Sequence, residues 1–214
     1  MFRMAVFAIV VTATSAWPVA AADPNAVGYV HIGVSYARQA DEATLYAYDM
    51  PLPGAAFTTE GKLTLGAELG LFVADGFALA VSGILPTTTP NIAAGTLAGI
   101  GNLGDETVGF YSATVQHHFG LGDITTPYVG AGLGYMHVFN MSDGVATDLS
   151  VESAFGGVIQ VGVDLAVTDS VGLFIDAKRF FLSTEARGNL FGTPVNAMAR
   201  VDPWVVSSGL SVRF

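Results

Sequence analysis

The sequence predicts an all-β protein, an eight-stranded antiparallel transmembrane β-barrel. Three observations carry that prediction. Apolar and polar residues alternate with a period of two in eight separate segments, charges avoid the apolar parity, and the joins between segments are short and long by turns.

The 214-residue chain opens Met1, Phe2, Arg3, runs apolar from Ala5 to Ala13 and reaches small residues at Ala20, Ala21 and Ala22. A basic start, a short apolar run and a small-residue site are the marks of a secretory signal peptide. The run falls short of the roughly 20 residues that a membrane-spanning helix needs. Residues 1–22 are therefore expected to be removed, leaving residues 23–214 as one barrel domain. Arg3 is the single charge of that leader, so its loss takes the formal charge from −10 to −11. Such an acidic chain excludes nucleic acid as an expected partner. There is no cysteine, and a closed barrel gains its rigidity without one because every backbone amide finds a partner.

Taken in order, the first segment is 28–37, where Val30, Ile32, Val34 and Tyr36 oppose Tyr29, His31, Gly33 and Ser35. The second, 62–73, is the clearest: Leu63, Leu65, Ala67, Leu69, Leu71 and Val73 hold one parity, and Lys62, Thr64, Gly66, Glu68 and Gly70 the other. A strand with this pattern has one greasy face and one polar or small face. In 76–85, Phe77, Leu79, Val81 and Leu85 share a parity; in 107–119, Tyr111, Ala113, Val115 and Phe119 oppose Thr114, Gln116 and His118. Segment 126–138 alternates Val129, Ala131, Leu133 and Tyr135 with Gly130, Gly132, Gly134 and Met136, a mostly small set that leaves room on the inner side. In 154–168, Phe155, Ile159, Val161, Val163, Leu165 and Val167 oppose Gln160, Gly162 and Asp164. In 170–183, Val171, Leu173, Ile175 and Ala177 oppose Asp176 and Lys178; in 204–214, Trp204, Val206, Leu210, Val212 and Phe214 oppose Ser207, Gly209, Ser211 and Arg213.

Spanning helices are the rival explanation for a chain that is 51% hydrophobic. Residues 77–104 carry no charge, but they hold Pro86, Pro90 and several glycines, a composition that makes a poor helix. Residues 124–142 are likewise broken by Pro127, Gly130, Gly132 and Gly134. The apolar faces carry one charge within a span, Arg179, at a strand end from which it can snorkel to headgroups. The opposite faces hold Lys62, Glu68, Asp164, Asp176, Lys178 and Arg213. Because a basic residue on the lipid face at mid-bilayer costs roughly 2 to 4 kcal/mol, the greasy faces are read as outward. Joins at 74–76, 120–126 and 168–170 are short, and those at 38–60, 86–106, 139–153 and 184–199 are long. That alternation places short turns on the periplasmic side and long loops outside a bacterial outer membrane.

Other chemistries fit less well. His117 and His118 invite a catalytic or metal-binding reading, but strand neighbours point to opposite faces and cannot act together. The glycines at 130, 132 and 134 lack the spacing and the following helix of a nucleotide-binding loop. No catalytic residue, cofactor or metal ligand is expected. The loop acids Asp41, Glu42, Asp49, Asp105, Glu106, Asp143, Asp148 and Glu152 are read as a solvated face, with divalent-cation bridging to lipopolysaccharide phosphates as the sharper alternative.

The chain resembles the OmpW family of outer-membrane proteins over essentially all of residues 23–214. The likeness rests on the stretch from Pro127 to Tyr135, on that from Gln160 to Asp164, on Asp202, Pro203 and Trp204, and on Gly209 with the terminal Arg213 and Phe214. It implies an eight-stranded barrel with a narrow, largely apolar interior, open to small hydrophobic molecules from outside. It also implies that Phe214 is the end residue read by the barrel-assembly machinery. Expected partners are outer-membrane lipids and lipopolysaccharide, that machinery, and small hydrophobic solutes.

Two expectations depart from or extend the family pattern. Asp176 and Lys178 lie on the inner face near mid-height, where they can pair. Nearer the periplasmic end His31, Gln116, His118, Asp164 and Arg213 are expected to converge in a polar plug, with Glu68 above, because an eight-stranded barrel is only just wide enough to be filled by side chains. The apolar loop residues Leu45, Tyr46, Tyr48, Met50, Leu52, Phe57, Ile92, Leu97, Ile100 and Leu103 are expected to line a funnel. The leading function is passive passage of small hydrophobic or amphiphilic molecules. A sealed structural or adhesive barrel is the alternative, and a lipid-A-modifying enzyme comes third.

Overall fold

The computed structural model describes residues 25–39, 42–48, 50–120 and 123–214. The expected signal peptide lies outside the described residues. Fifteen strands follow one another: β1 (Gly28–Arg38), β2 (Glu42–Ala47), β3 (Met50–Pro51), β4 (Ala55–Thr59), β5 (Lys62–Ala74), β6 (Phe77–Ile84), β7 (Thr87–Gly95), β8 (Asn102–His118), β9 (Thr125–Asp143), β10 (Ala146–Val151), β11 (Ala154–Ala166), β12 (Val171–Phe181), β13 (Ser183–Leu190), β14 (Thr193–Arg200) and β15 (Trp204–Arg213).

Eight of these close a ring, in the order β1, β5, β6, β8, β9, β11, β12, β15 and back to β1, every pairing antiparallel. They are the eight segments that the alternation marks out. The seam between the first and last strands is stitched at the chain's end, where Val27 N and Gly28 N donate to Phe214 O at 2.7 and 3.0 Å. Gly76 and Gly120 adopt φ of 69° and 66° in two of the short turns, a region that costs glycine nothing.

The exposure pattern is inside out. On β5, Leu63, Leu65 and Val73 are 72%, 57% and 60% exposed while Glu68 is 5% exposed. Aromatic residues edge this greasy band at both ends, as they do at membrane interfaces. Tyr36, Tyr111, Tyr135, Phe155 and Trp204 mark the end towards the long connections, with Tyr135 and Phe155 stacked at 4.2 Å. At the turn end His117 sits between Phe77 and Phe119, 4.5 Å from each ring. Inside, glycines make room for rings: a Cβ on Gly70 would collide with Tyr29, and one on Gly162 with Tyr128.

The long connections differ from the expectation of loops. Strands β8 and β9 run on past the greasy band, and β4 and β7 pair beside them. A second sheet, β10-β13-β14-β2-β3, forms from the remaining connections. The polarity of alternation reverses there. On β14, Ala197 and Ala199 are buried and Asn196 and Arg200 exposed; on β10, Ala146 is buried and Thr147, Asp148 and Ser150 exposed. Apolar inside and polar outside is the arrangement of a barrel standing in water, so this extension projects beyond the membrane.

Candidate functional site

Residue parity and strand register together load the bore of the barrel. His31 of β1 stands opposite Glu68 of β5 and Ser211 of β15, His118 of β8 opposite Tyr128 of β9, and Asp164 of β11 opposite Phe174 of β12. All eight sequence-identified residues, His31, Glu68, Gln116, His118, Asp164, Asp176, Lys178 and Arg213, are buried.

They form one connected set. At the turn end Arg213 Nη2 donates to Asp164 Oδ2 at 3.3 Å, and Asp164 Oδ1 lies 2.9 Å from His31 Nε2. His31 Nδ1 is 3.7 Å from Glu68 Oε1. Above, Lys178 Nζ bridges two carboxylates, 3.0 Å from Glu68 Oε2 and 2.7 Å from Asp176 Oδ1. The pairing expected of Asp176 and Lys178 is therefore present, widened to include Glu68. His118 Nε2 lies 3.0 Å from Gln116 Oε1.

Four residues absent from the sequence-based set complete it. Tyr29 Oη reaches Glu68 Oε1 at 2.9 Å and Gln116 Oε1 at 2.5 Å, and its single hydrogen serves one of them at a time. Gln160 Nε2 donates to Glu68 Oε2 at 3.0 Å and to Asp176 Oδ2 at 2.7 Å. Tyr128 Oη donates to Asp176 Oδ2 at 3.2 Å, and Phe174 stacks on His31 with ring centres 4.3 Å apart. Each lies on the polar parity of its segment, a signal that singles out Gln160 by its amide and is weaker for the three rings.

Above this polar layer the bore turns apolar. Ile84, Val108, Phe110, Met136, Val158, Phe180 and Val205 pack across it, with Phe110 and Phe180 at 5.8 Å. The space between the two layers, bounded by His31, Ser35, Ser82 and Phe110 among others, is about 20 Å³. That is room for about one water. The bore is thus filled at two successive levels.

The extension encloses a third level, an apolar cavity of about 90 Å³. Leu45, Phe57, Leu97 and Leu103 of the expected funnel line it, joined by Leu149 and Ala197. Leu52 packs against the same cluster. Tyr48 and Met50, by contrast, are 68% and 65% exposed and face away. The cavity floor carries Glu106, on the part of β8 that lies beyond Tyr111 and outside the membrane band. Gln39 Nε2 donates to Glu106 Oε1 at 2.6 Å. Burial pushes this carboxyl above its ordinary value, and hydrogen bonds from Gln39 and Asn91 pull the other way. Glu106 thus sits inside the extension, a correction to its reading as part of a solvated acidic face: it continues the inward parity that Ser112, Thr114 and Gln116 hold lower on β8. Asp41 and Asp49 lie outside the described residues.

A model of the OmpW family matches residues 25–214. Among relatives, an uncharacterized outer-membrane protein, y4mB, of Sinorhizobium fredii is 31% identical over 166 residues, 76% of this chain and 71% of that protein. The dibenzothiophene metabolism operon protein PahQ of Pseudomonas aeruginosa is 25% identical over 183 residues, 86% of each. The crystal structure of the outer membrane protein OprG from Pseudomonas aeruginosa superimposes with a TM-score of 0.83 at 17% identity, covering 90% of this chain and 98% of that one. At that identity the likeness is one of fold.

Proposed function

The chain belongs to the OmpW family of outer-membrane barrels, and from that premise we propose that it is a passive, non-enzymatic conduit for small hydrophobic or amphiphilic molecules. The observation that carries the reading is the apolar cavity of the extension, raised beyond the membrane on the extracellular side and lined by Leu45, Phe57, Leu97 and Leu103. Lipopolysaccharide makes the outer leaflet a poor solvent for greasy solutes, and an apolar receptacle above it offers them a way past. A relative named for a dibenzothiophene metabolism operon is in keeping with an apolar cargo.

The filled bore bears on the route. A solute held in the cavity meets the apolar layer around Phe110 and Phe180 and then a charged plug, and desolvated ions and amides are a steep barrier to a greasy molecule. Release sideways through the wall into the bilayer avoids both. The same filling favours a second reading, a sealed structural or adhesive barrel.

Uptake separates the two. Cells carrying the protein should take up a panel of hydrophobic compounds faster than cells without it, and the triple change Leu45→Ser, Phe57→Ser, Leu97→Ser should bring the rate down towards that of the cells without it at equal barrel abundance. Equal uptake with and without the protein would leave the sealed barrel standing, and faster uptake that the triple variant does not lower would take the cavity out of the path.

A further inference from the structure

The exposed basic residues of the barrel gather at one end of its axis, among acids of the same level. Lys178 and Arg213 are buried in the plug. The other basic residues of the described chain, Arg38, Lys62, Arg179, Arg187 and Arg200, all stand at or beyond the extracellular aromatic girdle. The periplasmic turns carry Asp75, Asp123 and Asp169 instead. Glu60 and Glu185 face Lys62 and Arg187 at 3.9 and 3.0 Å, which leaves the arginines of the β15 face as the group whose level suits an anionic headgroup.

Three of the arginines surround one residue. Trp204 of β15 stands opposite Arg38 of β1 on one side and Arg179 of β12 on the other. Arg38 shares the outward parity of Ile32, Val34 and Tyr36, and Arg179 that of Leu173, Ile175 and Ala177. The Arg179 guanidinium lies 5.3 Å from the centre of the Trp204 ring. Arg200, opposite Ser183 and Glu42 by register, approaches the same place from β14. Its Nε is 3.9 Å from Asp202 Oδ2, the oxygen that Arg179 Nη2 meets at 3.8 Å. One carboxylate is thus divided between two guanidinium groups at distances too long for good hydrogen bonds, while its other oxygen accepts from Leu182 N at 2.8 Å.

Directly below this row, towards the bilayer, lie Tyr36, Val206 and Ala177, paired across the same three strands. The face therefore reads as an apolar wall capped by cations, the profile of a site for an amphiphile with an anionic head. Strands flanking a third are about 10 Å apart, so Arg38 and Arg179 suit a head with more than one anionic group. Arginine forks also match phosphate oxygens two at a time.

We propose that Arg38, Arg179 and Arg200, set around Trp204 on the β15 face of the barrel, bind the phosphates of the outer-leaflet glycolipid, lipid A, whose acyl chains lie along Tyr36, Val206 and Ala177. The acids Asp105, Asp143 and Asp148 lie farther out on the extension, and exposed Glu60 and Glu185 are turned to Lys62 and Arg187 at 3.9 and 3.0 Å.

Trp204 reports on the site directly, since the chain's other tryptophan, Trp17, falls in the expected signal peptide. The mature barrel in zwitterionic detergent is titrated with bisphosphorylated lipid A, dephosphorylated lipid A, phosphatidylglycerol and inorganic phosphate while Trp204 fluorescence is followed. Bisphosphorylated lipid A should give a saturable change at a concentration at least ten-fold below that of the dephosphorylated form or phosphatidylglycerol. Arg38→Gln with Arg179→Gln should erase that preference, the two lysine replacements should keep part of it, and Arg187→Gln, higher on β13, should leave it intact. Equal titration by phosphorylated and dephosphorylated lipid overturns the proposal without any variant. So does a preference that survives the double Gln variant in barrels with an unchanged circular dichroism spectrum, or saturation by inorganic phosphate at the lipid A concentration, which would make it a free-anion site.

Discussion

At the scale of single residues, Lys178 decides the state of the plug. It is the cation between Glu68 and Asp176, at 3.0 and 2.7 Å, inside a barrel closed to water. Removing one partner of a buried ion pair leaves uncompensated charge and costs about 3 to 5 kcal/mol. Lys178→Met should accordingly lower the stability of the folded barrel by that order in urea unfolding, whereas Lys178→Met with Glu68→Gln should recover part of the loss. A single variant as stable as the parent would mean that the carboxylates need no cation. Glu106 makes a pH-dependent counterpart in the extension. Its carboxyl is raised in the folded state, so the folded chain holds its proton more tightly than the unfolded one, whose glutamates titrate near about 4.3. Stability should then be greatest below that value and fall as pH climbs through the folded-state value. Hydrogen exchange in β7, β8 and β9 beyond the girdle, followed from acid to neutral pH, should speed up as pH rises more than intrinsic exchange explains. Glu106→Gln should flatten that trend. Most plug residues were legible in the sequence because a charge on the polar parity of a membrane strand has nowhere to go but inward. Tyr29, Tyr128 and Phe174 were not singled out, because an aromatic ring is at home on either face, and only neighbours such as Gly70 and Gly162 decide which.

At the scale of elements, the alternation has two senses in one chain. In the membrane band the outward parity is apolar, as in β5, where Leu65 is 57% exposed. An arginine there costs roughly 2 to 4 kcal/mol at mid-bilayer, so Leu65→Arg should block assembly in cells while Thr64→Arg is milder, read as the amount of folded barrel. In the extension the rule inverts. Ala197 is buried in the cavity wall and its neighbour Met198 is 61% exposed, so Ala197→Arg should open β13 and β14 to external protease on intact cells, and Met198→Arg should not. The eight membrane strands were legible because lipid demands long, unbroken greasy faces. The extension strands hid because they are short, as in β2 (Glu42–Ala47) and β10 (Ala146–Val151), and because polar residues point outward there. A reading tuned to lipid registers that as loop. Their pairings also run between distant parts of the chain, β14 with β2 for one, which no local pattern announces.

At the scale of the whole molecule, the barrel stacks an apolar cup, an apolar layer and a charged cluster along one axis, and side chains of the two lower levels fill the bore. This separates ion conductance from solute uptake. If hydrophobic molecules leave the cup sideways, emptying the plug should admit ions without helping them. Replacing Glu68, Gln116 and Lys178 together by Ala removes the bridging groups in one step and leaves no lone buried charge between them, although Asp176 loses its cation and Asp176→Asn is added to spare it. With Phe110→Ala and Phe180→Ala thinning the apolar layer above, small ions should cross planar bilayers in resolved steps that the parent protein lacks. Uptake of a hydrophobic compound by cells should meanwhile stay within about two-fold of the parent, since a wider, wetter bore lowers no barrier that a greasy solute meets on leaving through the wall. Uptake rising in step with conductance would place the path through the bore and reassign the apolar layer from stopper to gate.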